Sequence, residues 1–263
     1  MASSLAGAAP SGVALHGDIP AGVGMPSVDA RSVAVYDATA GRWLGGSNAD
    51  AQIAVGSVMK LLTSYVVMQA GDLSKVVTVP AMDVNFAESS IGLYQGQKLA
   101  RDVLLRAMMI VSANDAARAL AVDVGGSTDN FVAKMNAAAT SLGLANTHAA
   151  NPIGLDATGA YSSARDMVAL AELLMRDAAF SAAVARTSAN MHGTTFPATN
   201  KLLGSYQGAN GVKTGHTTQA GYCIVASATR NGRTIYVALF GAASDAARTT
   251  STTALFDWAF AQA

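Results

Sequence analysis

The chain of 263 residues is 51% hydrophobic and 13% charged, and its 17 basic and 17 acidic side chains cancel to a formal net charge of zero. Such a length fits one large domain or two small ones, with ample material for a core. The balanced charge gives no basic field for nucleic acid, and no apolar run reaches a membrane span, the stretch 103–111 being cut by Arg106.

Residues 1–26 are rich in Ala, Gly, Ser and Pro and hold no Lys or Arg. They lack the basic start and apolar middle of an export signal, and a flexible lead-in before a domain over 27–263 is expected. Ser32-Val33-Ala34-Val35-Tyr36-Asp37 and Arg42-Trp43-Leu44-Gly45 read as strands joined by a turn at Thr39-Ala40-Gly41. The segment 55–68 is apolar all round and predicts one buried helix ending near Gly71. A short extended piece over 76–79, closed by Pro80, precedes a loop over 81–98. Helices are predicted over 102–110, from Asn114 or Asp115 to Val124, from Thr128 or Asp129 to Leu142, and over 163–177 with Met167, Leu170, Leu173 and Leu174 inward. Residues 188–210 read as polar and irregular. Strands follow over 211–214, 221–228 and 234–241, with Arg230-Asn231-Gly232-Arg233 as the last turn, then a helix over 246–260. The expected fold is therefore α/β of the α+β type. One antiparallel sheet is built from the N- and C-terminal strands and flanked by helices, with a helical region inserted at about 81–160.

Cys223 is the only cysteine, which excludes an internal disulfide and a cysteine-based metal site and suggests a buried small hydrophobe. His16, His148, His192 and His216 show no ligand spacing, so neither a metal nor a cofactor is expected. The informative feature is Ser57-Val58-Met59-Lys60 at the head of the apolar helix. Residues three apart share a helix face, so the Lys60 amine can reach the Ser57 hydroxyl. Taking an ammonium out of water is costly, and a serine nucleophile with a lysine base gives the pair a purpose. Two further short motifs follow, Ser112-Ala113-Asn114 in a loop between helices and Lys213-Thr214-Gly215 on a strand. Each is weak alone; their order and settings are more specific.

With these three motifs the chain resembles the serine-active penicillin-binding proteins, most closely the low-molecular-mass D-alanyl-D-alanine carboxypeptidases. The likeness runs from about Ser32 to Phe260 and takes in Gly154-Leu155-Asp156, Tyr161-Ser162-Ser163-Ala164-Arg165-Asp166-Met167, Thr199-Asn200-Lys201-Leu202-Leu203, the run from Gly211 to Thr217 and that from Ala220 to Ala228. The resemblance implies that Ser57 attacks the carbonyl between two D-alanines, Lys60 takes its proton, Ser112 relays a proton to the leaving amine, and Asn114 binds the substrate amide and fixes Lys60. Lys213, Thr214 and Gly215 would line the substrate's strand edge, with Lys213 a second positive charge near Lys60. The backbone N–H groups of Ser57 and His216 would form an oxyanion hole, and Arg248, ten residues before Trp258, would bind the terminal carboxylate. Ser89-Ser90 resembles a family stretch beside the active site.

Implied partners are peptidoglycan stem peptides, with β-lactams as acylating inhibitors. The implied location is exported, periplasmic or at the cell envelope. Relatives often continue into a second β-rich domain and a C-terminal anchor, the one route to membrane contact. Gly56, Met59, Ala113 and Ile153 depart from the commonest pattern, and Met59 and Ala113 are expected to add bulk near the site. The rivals are a DD-endopeptidase or transpeptidase of the same family, a β-lactamase, and a penicillin-recognising sensor without turnover. A class A β-lactamase needs a deacylating Glu, and neither Glu88 nor Glu172 has that setting.

Overall fold

The computed structural model describes residues 15, 17–81, 89–191 and 193–262. Residues 1–14 of the expected lead-in, residues 82–88 of the expected loop, His16 and His192 lie outside them.

Five strands make the central antiparallel sheet: β1 (Ser32–Asp37), β2 (Arg42–Ser47), β7 (Ala209–Thr217), β8 (Gly221–Arg230) and β9 (Arg233–Ala242), in the order β2-β1-β9-β8-β7. The two chain ends thus meet in one sheet, as the alternating apolar runs predict. Side chains alternate across it. On β9, Ile235, Val237 and Leu239 face α7 (Asp245–Ala261) and meet Leu255, Phe256 and Ala259. Tyr236, Ala238 and Phe240 face the opposite way, into the larger core. That core holds α1 (Lys60–Gln69), α2 (Arg101–Ile110), α3 (Asn114–Gly125), α4 (Thr128–Ser141), α5 (Ala164–Met175) and α6 (Ala178–Val184). Helix, sheet and helices form three layers around two apolar clusters.

Several expectations change. The apolar segment is not one helix: a 3-10 turn, Gly56–Met59, leads into α1. Helix α3 follows Ala113, which gives no side-chain cap; α4 starts at Thr128 as expected, with Ser127 as its cap, accepting from Asn130 N–H. Residues 188–210 are not wholly irregular; β5 (Ser188–Met191) pairs with β6 (Thr194–Pro197), and their mixed polar sequence hides the pairing. A second small ladder joins β3 (Val76–Thr78) to β4 (Lys98–Ala100), the latter inside the expected loop. A buried pair, Arg101 Nη2 with Asp123 Oδ2 at 2.7 Å, ties the start of α2 to α3.

The described part of the lead-in is packed rather than free. Gly46 N–H on edge strand β2 donates to Pro20 O at 3.0 Å, and Trp258 Nε1 on α7 donates to Val23 O at 3.0 Å. This strap covers an edge that would otherwise offer unpaired backbone groups. A Cβ on Gly46 would stand 2.8 Å from Ile19 Cγ2 of the strap and 2.6 Å from Val33 O of the paired strand β1. Gly46→Ala is therefore expected to lower the unfolding free energy by about 1–3 kcal/mol, read as a lower urea midpoint at constant m. An unchanged midpoint would show that the strap and β1 both yield.

Candidate active site

Three backbone segments converge at the head of α1. Gly56 has φ +56°, a conformation that disfavours a side chain, and a Cβ there would lie 2.9 Å from His216 N. A Cβ on Gly215 would lie 2.4 Å from Val55 O and 2.9 Å from Ser57 N, and one on Gly154 (φ +80°) would lie 2.1 Å from Gly56 O. Strand β7, the 3-10 turn and the loop around Gly154 are thus in backbone contact. Gly56, a departure from the commonest pattern, has its reason in this conformation.

In a 3-10 turn, positions i and i+3 stand one above the other. Lys60 Nζ lies 2.7 Å from Ser57 Oγ, in a side chain with 0% exposure. The amine also donates to Asn114 Oδ1 at 2.7 Å and to Ile153 O at 2.9 Å. Asn151 presents that carbonyl: its Oδ1 accepts from the N–H groups of Ile153, Gly154 and Leu155, at 3.2, 2.7 and 3.1 Å. The departure at Ile153 thus leaves the contact intact, because the backbone makes it. Met59 and Ala113 do not add bulk to the cleft. Both are buried, at 2% and 0% exposure, with their side chains in the large core.

Ser112 holds φ +66°, uncommon for a residue with a side chain, and faces the cleft. Asn114 opens α3, and its N–H donates to Ser89 O at 2.8 Å, which brings Ser89 to the cleft wall. The buried Asp115 carboxylate fastens the same loop, accepting from Ser90 Oγ at 2.7 Å, Ile91 N–H at 3.1 Å and Leu93 N–H at 3.0 Å. It is neither a helix cap nor a reacting group but a loop anchor.

On β7, Lys213 is 1% exposed, and its Nζ donates to Thr214 O at 2.8 Å. Burial, then the nearby Lys60 and Arg248, hold its pKa well below the ordinary lysine range. The sequence suggests Lys213 as a charge that keeps Lys60 neutral; the structure makes Lys213 itself costly to charge. Thr214 Oγ1 donates to Thr199 Oγ1 at 2.6 Å, and Asn200 Nδ2 to Gly211 O at 2.9 Å, so the 199–200 segment braces this strand. The His216 ring is exposed and stacks on Tyr222 at 4.0 Å.

Arg248 is buried on α7 under β7 and β8, where Nη1 donates to Cys223 O at 3.2 Å. Burial lowers its pKa while Asp245 opposes the shift; Nη2 bonds Asp245 Oδ1, and Lys201 Nζ lies 2.5 Å from Asp245 Oδ2. Ser57, Ser112, Asn114, Thr214, Gly215, His216 and Arg248 line one open cleft of about 890 Å³. Lys60 and Lys213 stand just behind its wall. Asp156, Thr199 and Tyr222, which lie within the family-like stretches, join the site, as do Asp115, Asn151 and Asp245, which have no motif of their own. The turn-forming Asn151-Pro152 pair and the three-residue spacing of Asp245 from Arg248 are the signals that mark two of the latter. Among the described residues, no three His, Cys, Asp or Glu side chains gather as a metal site.

A lysine with a depressed folded pKa binds its proton more weakly folded than unfolded. Its contribution to stability is present above the ordinary value of 10.5 and is lost as pH falls through the folded value. The stability of Lys213→Met relative to the parent should therefore fall as pH rises toward 10.5, followed by urea titration. A flat difference would mean that Lys213 is not held under this penalty.

The family model described as Peptidase_S11, D-alanyl-D-alanine carboxypeptidase, matches residues 20–244. D-alanyl-D-alanine carboxypeptidase DacF of Bacillus subtilis is 32% identical over 244 residues, covering 89% of this chain; the chain spans 63% of that relative's length. The solved D-alanyl-D-alanine carboxypeptidase of Mycobacterium tuberculosis superposes with a TM-score of 0.86 at 32% identity, over 94% of this chain and 97% of that one. The Streptomyces K15 DD-transpeptidase gives 0.84 at 32% identity, over 90% of this chain and 99% of that one. With its three motifs gathered in one cleft and a family model matched over most of its length, the chain belongs to the Peptidase_S11, D-alanyl-D-alanine carboxypeptidase family.

Proposed function

We propose that this protein is a serine D-Ala-D-Ala carboxypeptidase that removes the terminal D-alanine from peptidoglycan pentapeptides. The observation that carries this reading is the Lys60 amine, 2.7 Å from Ser57 Oγ at the edge of an open cleft. A neutral amine has two N–H groups and one lone pair. Asn114 Oδ1 and Ile153 O accept from the two N–H groups, which leaves the lone pair for the Ser57 proton.

Ser57 Oγ then attacks the carbonyl carbon between the two D-alanines as its proton passes to Lys60 Nζ. The oxyanion accepts from the N–H groups of Ser57 and His216, whose backbones the glycine contacts bring together; each such donor is worth about 3 kcal/mol in the transition state. The C–N bond breaks as the proton on Lys60 passes through Ser112 Oγ to the leaving amine. Water then attacks the acyl carbon, losing a proton to Lys60; the bond to Ser57 Oγ breaks, that proton returns to Ser57, and the shortened peptide is freed. Thr214, Gly215 and the buried Lys213 and Arg248 form the end of the cleft that holds the terminal carboxylate. Peptidoglycan lies outside the cytoplasm, so this reading calls for an exported enzyme at the cell envelope or in the periplasm. No described helix is long and apolar enough to cross a membrane.

The likeness to a DD-transpeptidase supports a second reading in which an amine replaces water at the acyl-enzyme. β-Lactams should acylate Ser57 and leave slowly. Glu172 does not serve as a deacylating carboxylate: it stands on α5, paired with Arg176 at 2.6 Å.

The test is release of free D-alanine from a D-Ala-D-Ala peptide. Ser57→Ala should lower it by about a thousandfold or more; equal release by the variant would sink the mechanism. A peptide product joined to an added amine acceptor would establish the second reading. Intact mass after penicillin should show a long-lived adduct on Ser57, whereas rapid loss would mean a β-lactamase. A stable adduct without D-alanine release would mean recognition without turnover.

A further inference from the structure

The two ends of the cleft differ in charge. Thr214 and Gly215 lie over the buried Lys213 and Arg248, and among the described residues the one carboxylate lining that end, Asp245, is shared between Arg248 and Lys201. At the other end Asp156 lies exposed on the cleft wall. Its Oδ1 accepts from Thr217 Oγ1 at 2.5 Å and its Oδ2 from Gln219 N–H at 3.1 Å. Both partners are neutral, and among the described residues no cation stands within ion-pair distance of Asp156. Arg31, beside the same turn, directs its guanidinium to the Gln219 and Ala220 carbonyls instead. A carboxylate has about four acceptor positions, so two hydrogen bonds leave room for a ligand. Its side chain is also fixed in place, unlike most exposed aspartates.

We infer that Asp156 is a specificity residue that reads a cationic side chain on the residue preceding the D-Ala-D-Ala pair. The inference rests on the carboxypeptidase reading above. If the terminal carboxylate lies by Thr214 and the scissile carbonyl lies between the N–H groups of Ser57 and His216, the upstream peptide must run on along the strand toward Thr217. Thr214 and Thr217 are about 10 Å apart along an extended strand. An extended peptide added to this edge brings its next residue upstream to the level of Thr217 and Asp156. A side chain ending in an amine there meets a fixed, unpaired carboxylate.

The experiment compares Nα-acetyl-lysyl-D-Ala-D-Ala with Nα-acetyl-norleucyl-D-Ala-D-Ala, which has the same reach and no charge. At low ionic strength kcat/KM should favour the lysyl peptide by roughly two- to fivefold, the range of an exposed ion pair, and added salt should shrink the ratio. Asp156→Asn should bring the ratio to about one, and Asp156→Glu should restore part of it. A purely structural role would lower both peptides equally and leave the ratio as it was, which would overturn the inference. A parent ratio of about one, or one insensitive to salt, would do the same even if the variants failed to fold. Absence of D-alanine release from either peptide would instead overturn the carboxypeptidase reading, and this inference with it.

Discussion

The site depends on a steric constraint: three stretches of backbone pressed together where no side chain fits. Gly56, Gly154 and Gly215 each lack room for a Cβ, with the intruding atoms 2.9, 2.1 and 2.4 Å away. That contact fixes the Ser57 and His216 amides on one wall. It also sets the Ile153 carbonyl where the Lys60 amine can reach it. The chemistry then follows from hydrogen-bond geometry. Two acceptors hold the amine, and the serine hydroxyl meets what remains. Asn151, Asp115 and the 199–200 segment hold these pieces from behind, each through a carboxylate or amide bonded to backbone or loop groups.

Charge sets a second constraint. Lys60 and Lys213 are both buried, and Arg248 lies near enough to lower the Lys213 pKa as well. Burying several cations together is unfavourable unless some give up their protons or meet an anion. Asp245 supplies part of that anion to Arg248. A substrate carboxylate at the same end would supply more, so binding and charge relief coincide. This gives a physical reason for a cationic pocket to recognise a C-terminal peptide end.

Much of the fold was legible in the sequence because its signals are local. Alternation marked β1, β8 and β9, and helical periodicity marked α2 to α5. Ser57, Lys60, Asn114 and Thr214 stand in short motifs and Arg248 was proposed from the family likeness; the structure gathers all five at one cleft. Pairings between distant, mixed-polarity pieces left no such trace: β5 with β6, β3 with β4, and the strap along β2 are decided by tertiary contact. Asp115 left none either, and the contacts of Asp156 and Thr199, with partners up to 63 residues away, are not legible in the family-like stretches that hold them. Met59 and Ala113 show the converse error. Closeness in sequence to a reacting group suggested bulk in the cleft, but their positions turn the side chains into the core.

The proposed mechanism stands on Lys60 as the base for Ser57. The most direct measurement is the rate constant for acylation of Ser57 by a fluorescent penicillin, compared between the parent and Lys60→Gln. General-base assistance predicts a fall of about 10²–10⁴-fold, with the variant still folded and still able to bind the drug. Acylation of Lys60→Gln within a few-fold of the parent rate would contradict the claim.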